Sequence, residues 1–185
     1  AFSRDGLNWL RVDRKRPILP RGGPGTWDSA HVTICTNLPY PEGKNLRFWY
    51  GGKNTEHWQA GNAALGTATL RRDGFACWQA GSEEGCLTTV PLEMNWATWL
   101  FLNVEAVRGE VRVEILDAET MMPLKGTSRQ ECQPITGDEV RAPVIFGKER
   151  GTFIRYTGRV RIRFFLKQAR LFAFKAPNLK ISCTS

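Results

Sequence analysis

The sequence predicts an all-β chain: the last blade, and part of the preceding one, of a β-propeller, followed by a β-sandwich. Three observations predict it. Helical periodicity is nearly absent, and the apolar residues fall in short alternating runs bounded by Gly, Pro, Asn and Asp. Seven Trp and ten Phe make the chain aromatic-rich, which suits sheets and ligand stacking alike. The stretch SRDGLNW (3–9) is echoed by RRDGFACW (71–78), each reading Arg-Asp-Gly, then an apolar residue, then a Trp a few positions on.

Taken in order, Asp5-Gly6 and Asp73-Gly74 each read as a hairpin turn, because Asp-Gly supplies positive φ at the two central positions of a type I′ turn. Between them come His31 to Thr36, the turn LPYPEGKN, Leu46 to Tyr50, the loop GGKNTEHWQAGN, and Ala64 to Leu70. Phe75 to Trp78 completes a run of four antiparallel strands, the pattern of a propeller blade. The echoed turn then joins the third and fourth strands of two successive blades, and residues 1–84 form the end of the propeller. Seven short strands follow, at Cys86–Val90, Trp99–Ala106, Glu110–Leu116, Val140–Phe146, Phe153–Tyr156, Arg159–Leu166 and Arg170–Phe174. Their spacing predicts a sandwich over 85–176, with 177–185 as a tail. Val111, Val113 and Ile115 alternate with charged residues, as do Val160, Ile162 and Phe164, so each strand has one buried and one wet face. Arg159, Arg161 and Arg163 form either an anion-binding stripe or, if Glu110 and Glu114 lie opposite, a neutralised one.

At 185 residues the chain suits one large domain or two small ones. The net charge of +8 is dispersed, and no RNP motif, finger spacing or basic helix accompanies it, which argues against nucleic acid. No apolar run approaches the roughly 18 residues of a membrane span. The opening AFSRDG has neither a start Met nor an apolar leader core, so the chain is expected to be a processed or truncated piece. Five cysteines (Cys35, Cys77, Cys86, Cys132, Cys183) with no CxxC and only two His argue against structural zinc, and neither a metal nor a cofactor is expected. The odd count rules out complete pairing within the chain. Cys77 and Cys86 are close enough to bridge if their strands oppose; otherwise the thiols are expected free and buried.

The ordered motifs ALGTATLRRDGF, GCLTTVPL, LFLNVEA, GEVRVEILDAE, ECQPITGDEVRAPV and VRIRFFLKQARLFAF resemble the C-terminal part of glycoside hydrolase family 32-like proteins. The resemblance covers about residues 1–175 and implies a five-bladed propeller followed by a β-sandwich. It also implies a catalytic apparatus of two carboxylates placed on early blades, an arrangement that retaining chemistry requires at about 5–5.5 Å separation. This chain has no Asp-Pro dipeptide, and its single Glu-Cys match to the family's acid motif, Glu131-Cys132, falls in the sandwich half. No catalytic residue is assigned.

The stretch GTWDSAHV enters the innermost strand of the complete blade, so Trp27, Asp28 and His31 are the candidate carbohydrate-binding residues. Trp offers a flat stacking face, and Asp and His exchange hydrogen bonds with sugar hydroxyls. The competing assignment makes Asp28 a turn-fixing residue and His31 an internally satisfied one. Trp49, Tyr50, Trp58, Trp78, Trp96 and Trp99 are either core residues or a second stacking platform. The expected function is a non-catalytic, carbohydrate-associated portion of an extracellular protein, completing a propeller whose other blades come from another chain or from a further part of the same protein. The alternatives are a lectin-like module and a purely structural domain.

Overall fold

The computed structural model describes residues 3, 6–11, 16–35, 38–148 and 153–181, and among them every regular element is a strand. Two compact units divide between Ala76 and Cys77.

The first unit is a small antiparallel sheet of β1 (His31–Ile34), β2 (Tyr40–Glu42), β3 (Asn45–Lys53) and β4 (Ala63–Arg71). β3 is central. β4 pairs with its whole length, from Asn45↔Arg71 to Lys53↔Ala63. β1 and β2 share the opposite edge in succession, opposite 50–53 and 45–47. The result is a three-rung meander. Side chains alternate across it, so Val32, Ile34, Phe48, Tyr50, Ala68 and Leu70 share one face and His31, Thr33, Trp49 and Leu65 the other. Tyr50 is the one hydrophobic residue of this unit that is buried among the described residues.

The second unit is all-β with a strongly curled, half-barrel sheet. Its strands are β5 (Trp78–Ala80), β6 (Gly85–Thr88), β7 (Leu92–Met94), β8 (Ala97–Thr98), β9 (Phe101–Asp117), β10 (Ile135–Pro143), β11 (Ile154–Arg155), β12 (Gly158–Lys167), β13 (Ala169–Lys175) and β14 (Leu179–Ile181). β9 runs antiparallel to β12 along its second half and to β13 along its first. β5, β6 and β7 line the far edge of β12 and β13 in succession. β10 returns along the other edge of β9, and a two-stranded patch joins β8 to β11. The concave face carries the core: Val111, Val113 and Ile115 of β9 meet Val160, Ile162, Phe164 and Leu166 of β12, with Met94, Leu100 and Leu102.

The outward faces of these strands carry ion pairs. Arg163 lies opposite Glu114 and bonds it at 2.9 Å, Arg112 bonds Glu110 at 2.9 Å, and Arg159 bonds Glu119 at 3.0 Å. Of the arginine stripe, Arg163 and Arg159 are ion-paired, whereas Arg161 donates to Thr89 O at 3.1 Å and makes no ion pair among the described residues, so the stripe is neutralised only in part.

Several sequence boundaries shift for identifiable reasons. The runs 99–106 and 110–116 are one strand, because Val107-Arg108-Gly109 turns a corner without reversing the chain. An added Cβ at Gly109 would lie 1.8 Å from the Lys167 carbonyl oxygen, so glycine permits this close crossing. The β10 strand starts earlier than expected because Gly137, at φ +84°, makes a bulge rather than a turn. The region 177–185 is more than a tail, since β14 pairs with β7. Phe75–Cys77 forms no fourth strand on β4. Trp78–Ala80 pairs with β13 instead, which moves the unit boundary from 84 to 76.

The two echoed turns also differ. In the second, Gly74 N donates to Arg71 O at 2.9 Å, and the positive φ (+53°) falls on Asp73. In the first it falls on Gly6 (+75°), whose N–H donates to Ser3 Oγ; Asp5 lies outside the described residues.

Candidate functional site

The loop before β1 is folded around one carboxylate. Gly22 N donates to Asp28 O, and Ala30 N to Lys53 O, which ties both ends of the loop. Within it, Thr26 Oγ1 lies 2.9 Å from Asp28 Oδ1, and Tyr50 OH donates to Asp28 Oδ2 at 2.9 Å. Both carboxylate oxygens are thus engaged and the residue is buried. The Thr26 hydroxyl, with Tyr50 behind it, holds the Asp28 carboxyl below its ordinary range, and the same carboxylate pushes the Tyr50 phenol up.

This carboxylate places Trp27. The indole stacks on Tyr50 with centroids 5.5 Å apart and planes 21° from parallel. Two glycines also lie against the ring. A Cβ added at Gly52 would lie 2.4 Å from Trp27 Cζ3, and one at Gly66 would lie 2.8 Å from Trp27 Cη2. Two glycines set diagonally on one face of paired strands, Gly52 opposite Ala64 and Gly66 opposite Tyr50, therefore form the seat for the ring, and Trp27 keeps a partly exposed surface.

His31 stands apart from that seat. Alternation puts it on the opposite face of the sheet, with Thr33 and Lys53. Its Nε2 lies 2.8 Å from Thr33 Oγ1, and its ring lies 5.1 Å from that of His57, centroid to centroid. The two histidines of the chain thus meet. The closed loop 54–62, tied by Asn54 and Asn62, displays His57 and a Trp58 that is 80% exposed. Among the described residues no cluster of three or more His, Cys, Asp and Glu is placed to hold a metal.

The structure therefore brings Trp27 and Asp28 together, makes Asp28 a positioning residue, and separates both from His31. Sequence reasoning missed Tyr50 as the partner of Asp28, and His57. The signal for the seat was the Gly51-Gly52 pair inside a strand pattern, which marks close approach of another group.

A second aromatic group lies in the second unit. Phe153 packs edge-on between Trp96 (5.9 Å) and Trp99 (5.1 Å), with the Arg155 guanidinium 6.0 Å from its ring. Trp96 has φ +77°, and Ala97 N donates to Asn95 O at 3.1 Å, so the indole is carried on a strained γ-turn. The turn is braced by Tyr156 N donating to Trp96 O at 2.8 Å and by Asn178 Nδ2 donating to Ala97 O. Trp96 and Trp78 are each 67% exposed, outside any core.

Glu131 has a structural role: its carboxylate accepts from the Ser128 hydroxyl and N–H, which hold it below its ordinary range. Cys132 beside it is buried and free. Cys35, Cys77 and Cys86 are also free but exposed, contrary to the expectation of buried thiols; Cys183 lies outside the described residues.

No family's sequence profile, no curated protein and no solved structure matches this chain.

Proposed function

We propose that this chain is the non-catalytic C-terminal portion of a glycoside-hydrolase-like, carbohydrate-associated extracellular protein, with its first part completing a propeller and its second, a sandwich-type domain, stabilising it. One observation carries this reading. The first unit has regular strands but almost no core of its own: Leu38 is 83% exposed and Leu65 67%, and Ile34, Tyr40 and Phe75 also face solvent. A sheet with apolar residues exposed on both faces is built to be covered on both, as a blade is by its neighbours. The covering blades come from another chain or from a further part of the same protein. Trp27, held on its glycine seat, is the sugar-stacking residue of this part, and His31 with His57 supplies polar contacts on the other face.

A second reading, a lectin-like module, is favoured by Trp96. Strain of this kind costs on the order of 1–3 kcal/mol and persists where the surroundings enforce it, often at ligand sites. Glycan-array and calorimetric titration of two variants separates the readings. Under the first, Trp27→Ala weakens binding about tenfold and Trp96→Ala leaves it unchanged. The reverse order moves the site to the second unit. Native material consisting of the 185-residue chain alone, binding no hydrophobic dye, overturns the blade reading. So does turnover of a fructoside by this chain that a single Asp or Glu replacement abolishes.

A further inference from the structure

The corner where β9 and β12–β13 bend together lines an open surface cleft of about 470 Å³, within the volume range of small-ligand sites. We propose that this cavity binds a pyranose unit carrying an anionic substituent, a carboxylate or a sulfate. The inference concerns the second unit alone and does not rest on the propeller reading.

Three paired strands supply its floor. Gln79 of β5, Arg170 of β13 and Glu105 of β9 lie in register across the sheet. Arg170 Nε donates to Gln79 Oε1 at 3.2 Å and its NH1 to Glu105 Oε2 at 3.3 Å. Both Glu105 and Gln79 line the cavity and keep an acceptor oxygen and amide N–H donors, respectively, beyond their bonds to Arg170. Around them the side chains of Gln168 and Arg108 make no hydrogen bond or ion pair to any described residue. Val107, 71% exposed, adds an apolar surface suited to the C–H face of a sugar ring.

The corner is rigid. Gln168 holds φ +45°, costly for a side-chain-bearing residue, and its N–H donates to Gly81 O at 2.7 Å. Gly109 is pressed onto the Lys167 carbonyl. A strained residue, unpaired amides and a concave wall thus coincide, which a solvated strand face does not require. Arg108 selects the ligand. Arg170 is engaged by Glu105, which has Asp138 beside it in register, whereas Arg108 makes no ion pair to any described residue and presents a planar donor fork suited to a carboxylate or sulfate.

The test titrates the full chain with trigalacturonate, galactose 6-sulfate, neutral galactotriose and sodium sulfate, following amide shifts and heats at 150 mM salt. The expected result is binding of at least one acidic sugar, with shifts at 79–82, 105–108 and 168–170, and at least tenfold weaker binding of galactotriose. Arg108→Ala should weaken the acidic sugar at least tenfold, and Gln168→Gly should weaken it several-fold while the fold is kept. Failure of both acidic sugars to bind at 20 mM overturns the proposal, as do shifts elsewhere or an Arg108→Ala affinity within twofold of the parent. Equal binding of sodium sulfate reduces the cavity to a simple anion site and overturns the sugar assignment.

Discussion

The adjacent glycines Gly51 and Gly52 point to opposite faces of β3 and offer a controlled perturbation of the Trp27 seat. An alanine Cβ at Gly52 would lie 2.4 Å from Trp27 Cζ3 and 2.6 Å from Asp28 Cβ, where ordinary contact begins near 3.4 Å. The indole or the strand must therefore yield by about 1 Å. Overpacking of this size costs about 1–3 kcal/mol. At Gly51 the new Cβ would lie 3.5 Å from Cys35 Sγ, an ordinary contact. There the substitution removes the entropic penalty of glycine in a strand, a gain of about 0.5–1 kcal/mol. The two single-methyl variants should thus differ by about 1.5–4 kcal/mol in urea unfolding, with Gly51→Ala the more stable. Near-ultraviolet circular dichroism and the Trp27 indole N–H resonance should change in Gly52→Ala alone. Equal stabilities with an unmoved Trp27 resonance would refute the seat.

Three further outcomes follow from the same geometry. Phe164→Ala, at a fully buried position, should destabilise the second unit by about 3–5 kcal/mol, whereas Leu65→Ala in the chain alone should stay within about 0.5 kcal/mol; comparable losses would contradict the difference in packing between the units. The Thr120 N–H, with the Tyr156 hydroxyl, lowers the Asp117 carboxyl from an ordinary 3.8 to about 2, so its stabilisation is complete above the ordinary value and is lost as pH falls through about 2. Acid unfolding between pH 4 and 2 should accordingly be steeper in the parent than in Asp117→Asn, and parallel curves would count against it. In a Cys183→Ser background, Cys35, Cys77 and Cys86 should react quickly with a thiol reagent, and Cys132, buried and with its thiol pushed up by desolvation, only on unfolding.

Much of the second unit was legible because alternation reports directly on a half-buried strand. The pattern of Arg159 to Leu166 sits in β12 with its apolar residues inward, and Glu114 does meet Arg163. Corners were not legible. Val107-Arg108-Gly109 and Gly137 look like turns in a linear reading, and whether the chain reverses there depends on a partner strand far away in sequence. The fourth strand of the first unit failed for the same reason. Phe75 to Trp78 has strand composition, but Trp78 finds its hydrogen-bonding partner in Leu171. In the first unit, the exposure of Trp58 and Leu65 could not be read from composition, since an aromatic or branched residue is equally at home in a core and at a contact surface.

Asp28 shows what sequence proximity leaves undecided about chemistry. Three residue types suited to sugar recognition fall within five positions, yet the sheet splits them. Asp28 accepts from Thr26 at one oxygen and from Tyr50 at the other, and a ligand hydroxyl that displaced either donor would leave the loop threonine or a buried tyrosine hydroxyl without its partner. Leaving a buried polar group unpaired offsets a new hydrogen bond, and so the direct effect of this carboxylate is to fix the ring beside it. On the reading proposed above, a ligand of this part of the chain meets Trp27 through stacking, with its polar contacts drawn from groups that remain open to solvent. His57, which no motif pointed to, is one of these, because the β3–β4 loop carries it to His31.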